Sequence, residues 1–418
     1  MKRILCWSLS VAVAAALVAC GGGGGGGSAP SDNGTPVTGP QVFTLANAPT
    51  KLSAWKMFNL AADSVSLASP LVPYDLNSAL FSDYAFKLRA IYVPAGQKIT
   101  YNATGGILDF PVGSVLVKTF YYPKATASGA LPAVAQQTQT AQGSSVNLAS
   151  NRLVETRFLV RKSDGSWEGI PYVWDADQRD ATLTPEGQYT QMELVDGSTT
   201  PATSQNFTYV VPNSQTCQNC HATSTHGSGS TDPIGPKVRN LNKSYDYGNG
   251  VVKNQLVQLK DLGLLAGFDG AAAAAPLGVD WKDTNQTLSA RAAAYMDVNC
   301  GHCHNGSAGA GQAGGYASQS GLLLSLGDFQ SAQPVTWGVC KLPLAYVGTG
   351  QPGYKYDITP GSANSSILLY RMSHVGAGQT MPVFGRQTNH VEALDLITRW
   401  IDGLTTASPT GAGLAACP

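Results

Sequence analysis

The sequence predicts a multidomain chain in which an N-terminal all-β domain, antiparallel and sandwich-like, precedes a mainly α-helical region. Three observations carry this. Between Leu52 and Val211 the apolar residues come in short, partly alternating runs rich in β-branched and aromatic side chains, as half-buried strands require. After Pro212 the pattern changes to stretches with helical spacing. The second region also carries one five-residue pattern twice, "CQNCH" from Cys217 and "CGHCH" from Cys300. At 418 residues the chain has room for two or three domains, each with its own core.

Residues 1–19 are built like an export signal: Lys2 and Arg3 make a positive start, and Trp7 to Ala19 a short apolar run. That run is too short for a membrane span, which takes about 20 apolar residues. "LVAC" resembles the bacterial lipobox, which implies a lipidated Cys20 at the mature N-terminus. The "GGGGGGGS" that follows suits a tether, since Gly-rich chain is a flexible coil, and residues 20–45 are expected to be linker. Gly21 stands where an aspartate would signal inner-membrane retention. The expected location is therefore the bacterial cell envelope, lipid-anchored at the outer membrane, periplasmic or surface-facing. Charged residues make up 12% of the chain and cancel to zero net charge, so nothing favours nucleic acid as a partner.

The β domain is expected over 46–212. "FKLRAIYV", "SVLVKTFYY", "RLVETRFLVR" and "IPYVW" read as strands, and Asp164-Gly165 between two runs signals a hairpin turn. Residues 125–150 are small and polar and read as a long mobile loop. "WDADQRDA" bunches three aspartates, a polar turn or a calcium site. The next segment, 213–285, holds the first paired motif, then "VVKNQLVQLKDLGLLAG" as a helix. The last domain, 286–405, opens with a helix over 287–300 that Thr287 caps. It closes with "NHVEALDLITRWIDG", where Asn389 and Glu392 are spaced like a capping box and Gly403 ends the helix. Residues 406–418 form a tail. In an oxidising compartment the two cysteines left over, Cys340 and Cys417, are expected to pair and tie that tail down.

Cys-x-x-Cys-His is the attachment sequence of c-type haem. Two thiols reach the two vinyl groups on one porphyrin edge, and the adjacent imidazole turns under the ring to the iron. Cys217, Cys220 and His221 would hold one haem; Cys300, Cys303 and His304 would hold a second. A zinc site needs no histidine directly behind each pair. A thioredoxin-like dithiol would sit in a βαβ pattern, and none surrounds these motifs. For the second haem Met381, in the Gly/Pro-flanked "GQTMPVFG", is the expected distal ligand. For the first haem the candidates are His390, Met372 and His226, although five residues after His221 scarcely reach around a ring. His302 reads as a spacer inside its motif and His374 as a surface residue. Lys237 and Arg239 are candidates to hold propionates.

A helix running into Cys-x-x-Cys-His, a Met-Pro loop and a closing helix resemble the class I cytochromes c over residues 286–404. The resemblance implies His304 and Met381 as axial ligands and Trp400 packed near the haem. The phrases "YDLNSALFSDYAFKLR", "RFLVRKSDGSWEGIPYVWDADQRDA", "QTCQNCH…PIGPKVRNLN" and "YMDVNCGHCH…GVCKLP…MPVFGRQTNH" resemble a family of bacterial di-haem c-type cytochrome lipoproteins. That family implies two haems and an N-terminal β domain, with no substrate known. The expected function is electron transfer between redox protein partners in the cell envelope, with a lipid anchor on the membrane. The alternative is a di-haem peroxidase-like or other redox enzyme with an open site on the first haem, against which stands the lack of an obvious acid–base glutamate after His221. A sensor or binding protein is a third reading, for which the chain shows no recognisable pocket.

Overall fold

Alternation along four long strands decides the architecture. The computed structural model describes residues 39–126, 129–138, 143–221, 231–305, 317, 320–330, 333–344, 346, 354–404 and 417. Phe58–Leu60 (β1) and Ser64–Leu67 (β2) pair antiparallel and join Ser145–Asn147 (β8) in a three-stranded sheet. Val72–Tyr74 (β3), Phe86–Tyr92 (β4), Val115–Pro123 (β6), Asn151–Arg161 (β9), Trp167–Trp174 (β10) and Ala181–Leu183 (β11) form the central antiparallel sheet, in the order β11-β10-β9-β6-β4-β3. Ala133–Ala135 (β7) lies parallel to Gln188–Asp196 (β12), which pairs with Thr203–Val211 (β13). Ile99–Thr100 (β5) pairs with Leu265–Ala266 (β16), and Ser244–Asp246 (β14) with Val252–Asn254 (β15).

Because successive side chains on a strand face opposite ways, each long strand sorts its residues to two sides. Leu88, Ala90, Val115, Val117, Phe158, Val160, Ile170 and Tyr172 point to one side. There they bury Trp55, Phe58, Val65 and Val146 in a single core. On the other side Ile91, Leu116 and Trp167 pack under helices Val238–Leu241 (α2) and Gln255–Asp261 (α3), through Val238, Leu256 and Leu259. Further along the same face Phe120, Tyr122 and Val154 pack under β12 and β13, through Met192, Leu194, Phe207 and Tyr209. Between these two apolar patches Arg89, Lys118 and Arg157 stand in register across β4, β6 and β9. That row is the floor of the functional site.

The remaining helices are Ser214–His221 (α1), Leu288–Asn299 (α4), Leu326–Gln330 (α5), Ile367–Ser373 (α6) and Val391–Asp402 (α7). α4 and α7 share a core through Ala292, Tyr295 and Met296 on one side and Leu396, Ile397 and Ile401 on the other. Residues Gly39–Pro418 make one compact unit, mostly antiparallel sheet with a few short helices. Segment 213–285 shares its core with the central sheet instead of enclosing one of its own.

Three local expectations are corrected. The segment 125–150 contains β7 and β8, because β12 and β2 offer them edges to pair with. The helix expected over 251–267 runs only from Gln255 to Asp261. Asn254 caps it by accepting from the Leu256 amide at 3.0 Å, and Gly263, at φ 72°, turns the chain away. α7 forms no Asn389–Glu392 capping box. Instead the Tyr84 hydroxyl accepts from the Val391 amide at 3.1 Å and donates to Glu392 at 2.8 Å. Cys340 and Cys417 are joined in a disulfide.

Candidate functional site

A cavity of about 680 Å³ lies over the cationic row of the central sheet. Cys217, Cys220 and His221 line it, and so do Cys300, Cys303 and His304. Both five-residue motifs, some eighty positions apart in the chain, therefore open into one space. None of these four thiols is in a disulfide.

The first motif is helix α1 itself. Asn213 starts the helix by accepting from the Thr216 amide at 2.7 Å, and the Ser214 amide is pinned to the Pro185 carbonyl at 2.9 Å. α1 lies so close to β10 that a Cβ on Gly169 would sit 3.1 Å from Cys217 Sγ. At the far end Asp232 clamps His221 twice. Its amide donates to the His221 carbonyl at 2.7 Å, and its carbonyl accepts from His221 Nδ1 at 2.7 Å.

The second motif repeats this arrangement. Thr287 caps α4 by accepting from the Ala290 amide at 3.2 Å, and the helix runs to Asn299. Gly301 is required next: a Cβ there would lie 2.8 Å from both the Asp297 and Leu324 carbonyl oxygens. The Leu324 amide donates to the His304 carbonyl at 2.7 Å, and His304 Nδ1 lies 3.2 Å from the Leu322 carbonyl. In both motifs, then, a histidine that lines the cavity has Nδ1 against a main-chain carbonyl, joined at His304 by Ser320 Oγ at 3.2 Å. A histidine that ligates a metal through Nε2 is usually held this way.

Burial sets the protonation states. It lowers His221 to about 3, helped by the Lys118 charge, and His304 to about 4, so both imidazoles are neutral. Burial also raises the Cys217 and Cys220 thiols and pushes Cys300 and Cys303 up to about 12. On the floor, Arg89 pairs with Asp75 at 2.8 Å and Arg157 with Glu155 at 2.6 Å. Lys118 stands between them, 5.1 Å from the Phe120 ring centre. Burial and the two neighbouring guanidinium charges lower it to about 7.

Met381 and Met372 both line the cavity, Met381 from a loop and Met372 from α6. The Met381 loop is fixed by a buried arginine. Arg386 donates to the carbonyls of Met381 at 3.0 Å, Arg371 at 3.1 Å and His374 at 2.7 Å, and to Asn389 Oδ1 at 2.9 Å. From the β region Asp83 accepts from the Gln387 and Thr388 amides, each at 2.7 Å. Asp83 and Tyr84 hold left-handed φ angles of 50° and 63°, a strained backbone kept in place by these bonds.

His390 also faces the cavity but is boxed in. Phe81 stacks on it at 4.1 Å, Tyr295 Oη lies 3.2 Å from Nδ1, and Glu392 is 3.7 Å from Nε2. His302, the expected spacer, lines the cavity, and its Nδ1 lies 3.3 Å from the Val298 carbonyl. His374 sits on Tyr370 with Nδ1 2.6 Å from that residue's carbonyl.

Further expectations have mixed outcomes. Trp400 packs on Trp337 at 5.7 Å and Phe329 at 6.3 Å, in the core that α4 and α7 share, and does not line the cavity. Arg239 is occupied by Asp297 at 2.8 Å, which ties the first-motif segment to α4; Lys237 does line the cavity. The three aspartates after Trp174 form a polar turn: Asp175 pairs with Lys51 at 2.6 Å and Asp180 accepts from Ser53 at 2.7 Å. His226 and Cys20 lie outside the described residues. Among the described residues no group of three or more His, Cys, Asp or Glu gathers as a metal site. No helix among them is long and apolar enough to cross a membrane. Arg386, Asp83 and Lys118 were not singled out from the sequence. Comparison with protein-family models, curated proteins and solved structures finds no match.

Proposed function

We propose that the protein is a di-haem c-type cytochrome that passes electrons between redox protein partners in the bacterial cell envelope, lipid-anchored through Cys20. One observation carries the reading. Two Cys-x-x-Cys-His motifs line one cavity with thiols outside any disulfide, and each motif histidine has Nδ1 against a main-chain carbonyl.

The residues present fit this cofactor. A tetrahedral zinc site would draw all its ligands from the protein and so gather several side chains at a point. A porphyrin brings four nitrogens of its own and asks for only one or two side chains. The raised thiol pKa values also count against a redox dithiol, whose nucleophile needs a lowered one. When bound, haem supplies reversible one-electron iron chemistry.

The chain's own residues then have distinct tasks. Cys217, Cys220, Cys300 and Cys303 offer the thioether sulfurs, and His221 and His304 offer neutral imidazoles. Met381 offers a thioether to the second site, on a loop that Arg386 and Asp83 position. His/Met ligation raises a potential, which suits that site as the electron sink of the pair. The α4–loop–α7 arrangement over 286–405 supports a class I cytochrome c-like domain built onto the sheet.

Replacing Met381 with alanine tests the assignment. The ferric protein is expected to lose its near-infrared sulfur-to-iron band; a band that persists would transfer the role to Met372.

A further inference from the structure

The two-haem reading leaves one axial position unassigned, opposite His221. Among the described residues few nitrogen bases face the cavity. His390 is stacked under Phe81 at 4.1 Å with its Nδ1 3.2 Å from Tyr295 Oη, boxed in by aromatic rings. That leaves His302 and three lysines, of which Lys87 donates to the Ala85 carbonyl at 2.9 Å, Lys237 faces Asp297 at 3.8 Å and Lys118 stands on the floor.

His302 has the same build as the two motif histidines. Its Nδ1 is placed on a main-chain carbonyl, that of Val298 at 3.3 Å, which directs the ring's lone pair to Nε2. It lines the cavity that His221 lines. Cys220 and Cys303, one from each motif, line that cavity too. His302 and His304 flank Cys303 in a tight turn after α4, so one stretch of chain can present imidazoles to two places.

We propose that His302 supplies the second axial imidazole to the iron held by Cys217, Cys220 and His221. The residue between the cysteines of one motif then completes the site of the other. This rests on the two-haem reading and adds to it a bis-histidine first site, closed to exogenous ligands and mechanically tied to the second. The floor lysine Lys118, flanked by Arg89 and Arg157, keeps an electrostatic role only.

The test uses full-length holoprotein from a maturation-competent host, as wild type, H302A, H302M and K118M. Pyridine haemochrome assay counts haem, electron paramagnetic resonance reports spin state, and carbon monoxide titration of the reduced protein reports open positions. Wild type is expected to show two low-spin ferric signals, one of bis-histidine and one of His/Met type. H302A should convert the bis-histidine signal to high spin and gain one carbon monoxide per chain, and added imidazole should restore low spin. H302M, which keeps a ligand, should replace the bis-histidine signal with a second His/Met signal, a result readable even where alanine impairs attachment at Cys300 and Cys303. K118M should leave both signals unchanged. Two haems with both signals intact in H302A, or a first site opened by K118M instead, overturns the proposal alone. Wild type with no haem on Cys217 and Cys220 overturns the two-haem reading and this proposal together.

Discussion

At the scale of single residues, Asp297 shows how the site is held. Its carboxylate is 3% exposed and meets Arg239 at 2.8 Å and Lys237 at 3.8 Å, while accepting from the Leu326 amide at 3.0 Å. Burial alone would raise its pKa, but the two cations outweigh burial and hold it below the ordinary carboxylate value. With the folded value depressed, its stabilisation is present above the unfolded pKa and is lost as pH falls through the folded one. D297N is therefore expected to cost about 3–5 kcal/mol at neutral pH, as breaking a buried pair does. In denaturant melts across acid pH, the gap to wild type should narrow below the ordinary carboxylate range; a constant gap would mean that packing, not charge, is lost. The motif cysteines and histidines and Met381, which line one cavity, were legible because the Cys-x-x-Cys-His pattern and the Met-Pro loop are local signals. Arg386 and Asp83 were not: their partners come from distant parts of the chain, and a lone Arg in "FGRQTNH" or Asp in "FSDYAF" carries no periodic signal. The role proposed for His302 carries no local signal, because it depends on where the other motif lies.

At the scale of elements, close approach is the deciding feature. α1 lies on β10 because Gly169 has no side chain, and Cys217 Sγ occupies the space a Cβ would need. G169V is expected to lift α1, reducing haem content from two per chain toward one while the second site keeps its spectrum; full loading would show that the contact is dispensable. Strands were read well because a period of two is visible in short windows. Helix limits were read less well. Asn254 delays α3 by capping it at the Leu256 amide, a local event inside a run that reads as helical throughout, whereas Tyr84 caps α7 from the other end of the chain.

At the scale of the molecule, the segment Tyr74–Ala85 braces the β region against the rest. Asn77 donates to the Arg239 carbonyl at 2.9 Å, Ser78 to the Val279 carbonyl at 2.8 Å, and the Phe81 amide to Asn299 at 2.8 Å. That explains a cavity whose walls span most of the chain, and why its enclosure could not be foreseen: it is a product of long-range packing. The Cys340–Cys417 disulfide closes a separation of 77 residues. Its removal as C340S/C417S is expected to cost about 2–4 kcal/mol by freeing the unfolded chain. Thermal unfolding with and without reductant checks this, and an unchanged midpoint would deny the bond a stabilising role. The central claim is covalent attachment of two haems, and intact mass spectrometry of the mature protein tests it most directly. The account predicts a mass increase of two haems, falling to one in C217S/C220S and one in C300S/C303S; a mature chain with no added mass would contradict it.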